Sequence, residues 1–220
     1  MNTIAEENYL KAIYHLTYEL ETTDFVGTNN IANYLSVKPA TATDMLKKLK
    51  EKSLINYEKY GKSSLTNDGK KLALEIIRKH RLWETFLCEK LGFNWEEVHE
   101  IAEQLEHIKS NKLIDRLDKF LNYPKTDPHG ELIPNAEGYI DYQSKISVAD
   151  MKLGFIYKIT AVKEDSYEFL KLINNMGLNI NKQIELKEVN IYDNSLQIKI
   201  NNQSINISSH IAHKILIEQI

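Results

Sequence analysis

The sequence predicts a mainly α-helical chain with a small β component: a winged helix-turn-helix, a helical middle and a compact β-rich end. Three observations predict it. Residues 4–66 read as helix, short helix, turn, lysine- and threonine-rich helix and two-stranded hairpin, the order of a winged helix-turn-helix. Residues 70–121 keep the apolar spacing of helices. From about residue 146 the period falls to two and β-branched residues dominate. The expected domains are 1–73, 74–143 and 144–220.

Each element has a local reason. Ile4, Leu10, Ile13, Tyr14 and Leu16 recur at helical spacing and predict an amphipathic helix over 4–20, broken by Thr22-Thr23-Asp24. Thr28-Asn29-Asn30 is an N-cap region for a short helix, Ile31 to Leu35. Ser36-Val37-Lys38 makes a turn. Pro39 suits the first turn of a third helix, Ala40 to about Lys52. That helix puts Ala42, Met45, Leu46 and Leu49 on one side, and Thr41, Thr43, Asp44, Lys47, Lys48 and Lys50 on the other. Leu54 to Tyr60 is strand-like, Gly61-Lys62 a turn, and Ser63 to Thr66 the return strand.

A long helix is expected from about Lys70 to Leu91, then helices over about Trp95–Ser110 and Lys112–Leu121. Three of the four prolines follow in a turn-rich linker over 122–144. Strands at Phe155–Thr160, Gln183–Leu186, Leu196–Ile200 and Ser204–Ile207 predict a small antiparallel barrel over 146–220. A helical segment, Phe169 to Met176, interrupts it.

The net charge of −3 over 220 residues excludes a chain that is basic overall. Segment by segment the charge is uneven. Lys38 to Lys71 holds nine lysines against Asp44, Glu51, Glu58 and Asp68, a local +5. Glu84 to Glu106 holds seven glutamates against Lys90, a local −6. Such asymmetry implies two jobs in two places. No run approaches the roughly 18 apolar residues of a membrane span, and the first residues lack the basic start of a signal peptide. The lone Cys88 makes neither an intramolecular disulfide nor a thiolate-only metal site, and reads as a core residue. A cytoplasmic protein is expected.

The basic block fits duplex DNA. Small polar residues reach base edges and flanking cations meet phosphates. Lys38, Ala40, Thr41, Thr43 and Asp44 lie in the first turns of the lysine-rich helix, the part that meets bases in helix-turn-helix proteins. Lys47, Lys48 and Lys50, with Lys59 and Lys62 on the hairpin, are placed to neutralise phosphates.

The acidic block fits a divalent cation. His80 and Glu84 are four residues apart on the long helix. His99, Glu103, Glu106 and His107 fall within a sector of about 100° on the next. Crowded carboxylates repel unless a cation or protons neutralise them. Imidazole and carboxylate together suit Mn, Fe, Co, Ni or Zn. Catalytic patterns are missing: there is no His-Glu-x-x-His, no glycine-rich phosphate loop and no Ser/His/Asp set, so no enzymatic activity is expected. Two other classes stay open on these residues: a winged-helix regulator with a non-metal effector, and a metalloenzyme.

Several segments together resemble the diphtheria toxin repressor family of metal-dependent transcription regulators, its manganese-responsive branch included. They are Glu7-Asn8-Tyr9-Leu10-Lys11-Ala12-Ile13-Tyr14, the helix opening Lys38-Pro39-Ala40-Thr41, Leu65-Thr66 through Gly69, Arg78-Lys79-His80-Arg81-Leu82-Trp83-Glu84, and Val98-His99 through Glu106-His107. The resemblance spans essentially the whole chain. It implies an SH3-like, FeoA-type C-terminal domain and a homodimer on a palindromic operator in double-stranded DNA. It also implies repression of metal-homeostasis genes under Mn2+ or Fe2+, with two metal positions per protomer. Carried over, the primary position takes Asn8, Glu103, Glu106 and His107. The second takes His80, Glu84 and His99, completed by Asp165 and Glu168 of the C-terminal domain. Position 103 is Glu where iron-type members have Cys, which leans towards manganese. Position 8 is Asn where members have Met or Asp, and offers a neutral carbonyl oxygen.

Overall fold

The computed structural model describes residues 2–20, 23–58, 61–141 and 145–220. The chain divides into two compact units. The first comprises residues 1–80, 105–111 and 134–139; the second comprises 81–104, 112–133 and 140–220.

The first unit opens with α1 (Ile4–Tyr14), started by a capping box in which Thr3 and Glu6 exchange side-chain to backbone hydrogen bonds. The helix continues as one turn of π-helix, His15–Glu19. The second helix, α2 (Thr28–Tyr34), starts three residues earlier than expected, because Gly27 rather than Asn30 takes the extended cap conformation. The third, α3 (Pro39–Glu51), begins with its proline in the first turn, where the missing N–H costs nothing. It ends at Ser53 in the left-handed region, with Leu54 N–H donating to Leu49 O and Ser53 N–H to Lys50 O. Ala42, Leu46 and Leu49 are buried as the periodicity predicts.

The hairpin is β2 (Ile55–Tyr57) and β3 (Lys62–Leu65). A strand not expected from sequence, β1 (Val26–Gly27), pairs with β3, giving the antiparallel order β1-β3-β2. Two residues are too short to show a period, which is why the sequence hides it. Helices α1, α2 and α3 pack on one another, and α1 also packs on β3. Leu10, Ile13, Ile31, Leu46 and Leu49 are fully buried there. These elements make the winged helix-turn-helix.

The long helix α4 (Asn67–Leu91) starts in the first unit and ends in the second. The next helix, α5, covers only His99–Leu105, not Trp95–Ser110. Glu106 and His107 therefore stand in a turn beyond the helix, not on its face. The last of the middle helices is α6 (Asn111–Phe120).

The C-terminal sheet has six antiparallel strands among the described residues: β4 (Ile146–Ser147), β5 (Ile156–Val162), β6 (Gln183–Val189), β7 (Leu196–Ile200), β8 (Gln203–Ile207) and β9 (Ile215–Gln219). Their order is β4-β9-β5-β6-β7-β8. The helices α7 (Tyr167–Asn175) and α8 (Ser209–Lys214) supplement it. Its core is rich in isoleucine, with Ile159, Ile173, Ile198, Ile215 and Ile217 fully buried. The pairing of β5 with β9 shifts register between Ile159 and Ala161, a bulge at Thr160. None of the described helices is long and apolar enough to cross a membrane.

Candidate functional site

The exposed face of α3 is polar as predicted. Lys38, Ala40, Thr41, Asp44, Lys47, Lys48 and Lys50 are exposed and Thr43 is half-buried. The Thr43 hydroxyl donates to Pro39 O at 2.9 Å. Asp44 lies 3.8 Å from Lys47, so its charge is partly balanced by its own helix. Lys50 is committed elsewhere, donating to Tyr57 O of the hairpin at 3.0 Å. Lys62 is exposed at the start of β3, whereas Lys59 lies outside the described residues.

In the first unit the side chains converge on Glu106, which is wholly buried. Its Oε2 accepts from Lys11 Nζ at 2.7 Å and sits 2.6 Å from His80 Nδ1. Its Oε1 has no hydrogen-bond partner and lies 3.8 Å from His107 Nε2. His107 Nδ1 in turn lies 2.6 Å from Glu7 Oε2. Asn8, on the same helix as Glu7 and Lys11, has a buried Oδ1 without a hydrogen-bond partner. Buried oxygens without donors are costly. The Asn8 and Glu106 oxygens and the His107 imidazole, 3.8 Å from Glu106, are of the ligand types that suit a divalent cation.

Asn8, Glu106 and His107, expected in the primary set, lie in the first unit. His80, expected in the second set, has its Nδ1 2.6 Å from Glu106. Glu103, expected in the primary set, belongs to the second unit, 3.8 Å from His99.

The second unit gathers its ligand atoms around Glu84, which is 1% exposed. Oε1 of Glu84 lies 3.5 Å from His99 Nδ1, which is 3.1 Å from Asp165 Oδ2. Oε2 of Glu84 lies 3.6 Å from His129 Nδ1. Glu84, Asp127 and His129, all buried, each aim a ligand atom into a space where those atoms lie within 4.8 Å of one another. Glu168 is exposed on the first turn of α7 and makes no ion pair among the described residues.

On sequence alone His129 is a turn residue of the linker, and Asp127 is not singled out. The structure shows a built loop. Asp127 Oδ1 accepts from the backbone N–H of His129 at 2.9 Å and of Glu131 at 3.0 Å. That leaves Oδ2 buried without a hydrogen bond. His129 Nε2 donates to Trp95 O at 2.8 Å, which leaves Nδ1 facing Glu84. An imidazole that anchors one nitrogen on a backbone carbonyl and presents the other is the usual arrangement of a metal-ligating histidine. Arg81 holds the loop, donating to Glu131 Oε2 at 3.0 Å and Leu132 O at 2.7 Å.

The cluster shifts its own protons. Burial pushes the Asp127 carboxyl up, and the Glu131 and Glu84 charges push it further, to about 8 against the opposing His129 and Arg81. Burial alone would lower His129; the adjoining Glu84, with Asp127 and the Trp95 carbonyl, outweighs it and raises the imidazolium to about 10. Cys88 is half-buried, and burial with the Glu84 and Asp127 charges pushes its thiol to about 12, so it is inert.

The loop is seated on the C-terminal sheet. His129 O accepts from Val162 N–H at 3.0 Å, just past the β5 bulge. Gly130 has φ +81°, and a Cβ there would meet Thr160 O at 2.0 Å. Gly130→Ala combines left-handed strain with a backbone clash. It is expected to cost about 2 kcal/mol or more, read as a lower midpoint in urea denaturation.

Three family models cover the chain. The iron dependent repressor N-terminal DNA binding domain matches residues 1–62. The iron dependent repressor metal binding and dimerisation domain matches residues 66–135, and the FeoA domain matches 146–219. The HTH-type transcriptional regulator MntR of Oceanobacillus iheyensis is 36% identical over 127 residues, 58% of this chain and 84% of that protein. A solved manganese-dependent transcriptional repressor in complex with manganese superposes with a TM-score of 0.89 at 28% identity, over 98% of this chain and 100% of that one. A probable metal transport system membrane protein of Chlamydia trachomatis is 35% identical over 133 residues, 59% of this chain. This chain spans only 29% of that protein's length.

Proposed function

The chain belongs to the iron-dependent repressor family, and from that premise we propose that it is a transcriptional repressor whose operator binding is switched on by Mn2+ or Fe2+. The observation that carries this reading is the pair of buried donor sets. Asn8, Glu106 and His107 form the first. Glu84, Asp127 and His129 form the second, with His99 and Asp165 beside them. Each set presents buried carboxylate or amide oxygens that no protein donor satisfies. A bound divalent cation would supply the partner those oxygens lack and crosslink the segments that carry the ligands.

The residues couple such a crosslink to DNA. Asn8 sits on α1, and α3, the helix offered to the major groove, packs against α1. Fixing Asn8 against Glu106 and His107 fixes the platform on which α3 rests. His80 keeps Glu106 in place through its 2.6 Å contact. In a homodimer, two such helices would read half-sites about 34 Å apart on a palindromic operator. A tenfold shift towards the DNA-competent arrangement needs only about 1.4 kcal/mol of differential affinity. Carboxylates and imidazoles without thiolate favour manganese over softer ions. We place this activity in the cytoplasm, with target genes of metal homeostasis.

The test is fluorescence anisotropy on a duplex selected from a random pool by the Mn2+-loaded protein. Chelated protein, then protein with Mn2+, anaerobic Fe2+ or Zn2+, is titrated into it. Binding at least tenfold tighter with Mn2+ or Fe2+ is expected. Equal affinity after chelation would overturn the reading.

A further inference from the structure

We propose that the Lys11 ammonium and a divalent cation are alternative partners of the Glu106 carboxylate, so that Lys11 sets the metal concentration at which the first donor set fills. This rests on the ligand reading above and adds an internal competitor to it.

Glu106 is wholly buried, so its partners matter more than those of a surface carboxylate. The ammonium of Lys11 lies 2.7 Å from Oε2 and 3.3 Å from His80 Nδ1, so it already occupies one side of the Glu106 carboxylate. Lys11 stands three residues beyond Asn8 on α1, close to one helical turn. It is therefore carried by the same helix that supplies a ligand. A metal ion sits about 2 Å from a ligating oxygen. An ion on the Glu106 carboxylate would then lie within a few ångströms of Nζ, where two cations in a poorly screened interior repel.

The other charged groups near this point include His80, His107 and Glu7, and Glu7 is paired with His107. Lys11 is the group able to yield. Its side chain is 16% exposed, and its four-carbon stem lets the ammonium swing to water while its Cα stays in α1. The lysine thus balances Glu106 until the cation replaces it.

Calorimetric titration of chelated protein with Mn2+ tests this. Lys11→Met removes the ammonium and keeps the stem; Lys11→Arg keeps the charge. The methionine variant is expected to bind Mn2+ in the first set about tenfold tighter, equivalent to about 1.4 kcal/mol. Its Tm should fall without metal but match the parent with Mn2+. The arginine variant should stay within about threefold of the parent. Glu106→Gln identifies the heat of the first set. If Glu106→Gln loses a Mn2+ but Lys11→Met binds no tighter than the parent, the competition is refuted and the ligand reading stands. If Glu106→Gln loses none, both fall. Should the methionine variant not fold, the parent protein still decides. Acetylation of Lys11, followed by mass spectrometry, should rise severalfold on Mn2+ loading, and an unchanged rate refutes the competition.

Discussion

Glu106→Gln is expected to abolish metal-stimulated operator binding, leaving anisotropy titrations with and without Mn2+ superimposed. The amide keeps the shape but loses the negative charge on which the first donor set turns. It also leaves the Lys11 ammonium facing an amide, a cost held to about 1–3 kcal/mol because the lysine stem can carry its charge to water. A folding defect would also lower binding, so a second variant separates the two. Lys11→Met with Glu106→Gln removes both charges and should recover most of the lost stability, read from urea denaturation, while remaining blind to Mn2+. Retention of the metal response in either variant would refute Glu106 as a ligand.

Glu84→Ala is expected to have the second largest effect, on stability and on its pH dependence. Glu84 touches His99 through one oxygen and His129 through the other, and is almost fully buried. Without it His129 loses the carboxylate that holds it charged, again a cost of about 3–5 kcal/mol. His129 and Asp127 both bind protons more tightly folded than unfolded. The His129 contribution is complete below its unfolded value of about 6.5 and is lost as pH rises through about 10. For Asp127 the folded state favours the neutral acid, so stability declines as pH rises above its ordinary 3.8 and through about 8. Both terms make the unfolded state the poorer proton binder. In chelator, the parent should therefore be less stable at pH 9 than at pH 6. The slope should shrink in Glu84→Ala, since each shift draws on the Glu84 charge. A parent that gains stability from pH 6 to 9 would contradict the assignment. Metal needs both groups deprotonated, so Mn2+ affinity should move the other way and rise with pH.

The winged helix was legible because its signals are local. Pro39 marks the start of α3, and the periodic burial along that helix follows from Ala42, Leu46 and Leu49. The His and Glu residues of the middle segment were legible as metal chemistry, since their types alone carry that information. Their grouping was legible only in part, in Glu84, His99 and Asp165, which do meet. Spacing on a helix relates residues only while the helix lasts, and nothing in Glu106-His107-Ile108-Lys109-Ser110 is a glycine or proline that announces its end at Leu105. Residues expected on one face were therefore divided between two units. Lys11 meets Glu106 across 95 positions, and Asp127 and His129 reach Glu84 from a loop read as a linker. Such meetings are set by tertiary packing, which leaves no period in the sequence. A carboxylate and an imidazole two residues apart beside a glycine, in Asp127-Pro128-His129-Gly130, were the one local trace.

The bulge in β5 gives the two donor sets different histories. The first needs only α1 and the turn after α5, so a chain ending before the C-terminal sheet would carry every part of it. The second depends on the backbone of β5, which takes the His129 carbonyl and leaves room for Gly130 but no larger residue. A sheet that supplies no primary ligand there nonetheless acts as the mould in which one is cast. On the proposed reading, removing that domain is expected to abolish the second donor set and spare the first, without altering a residue of the DNA-reading helix.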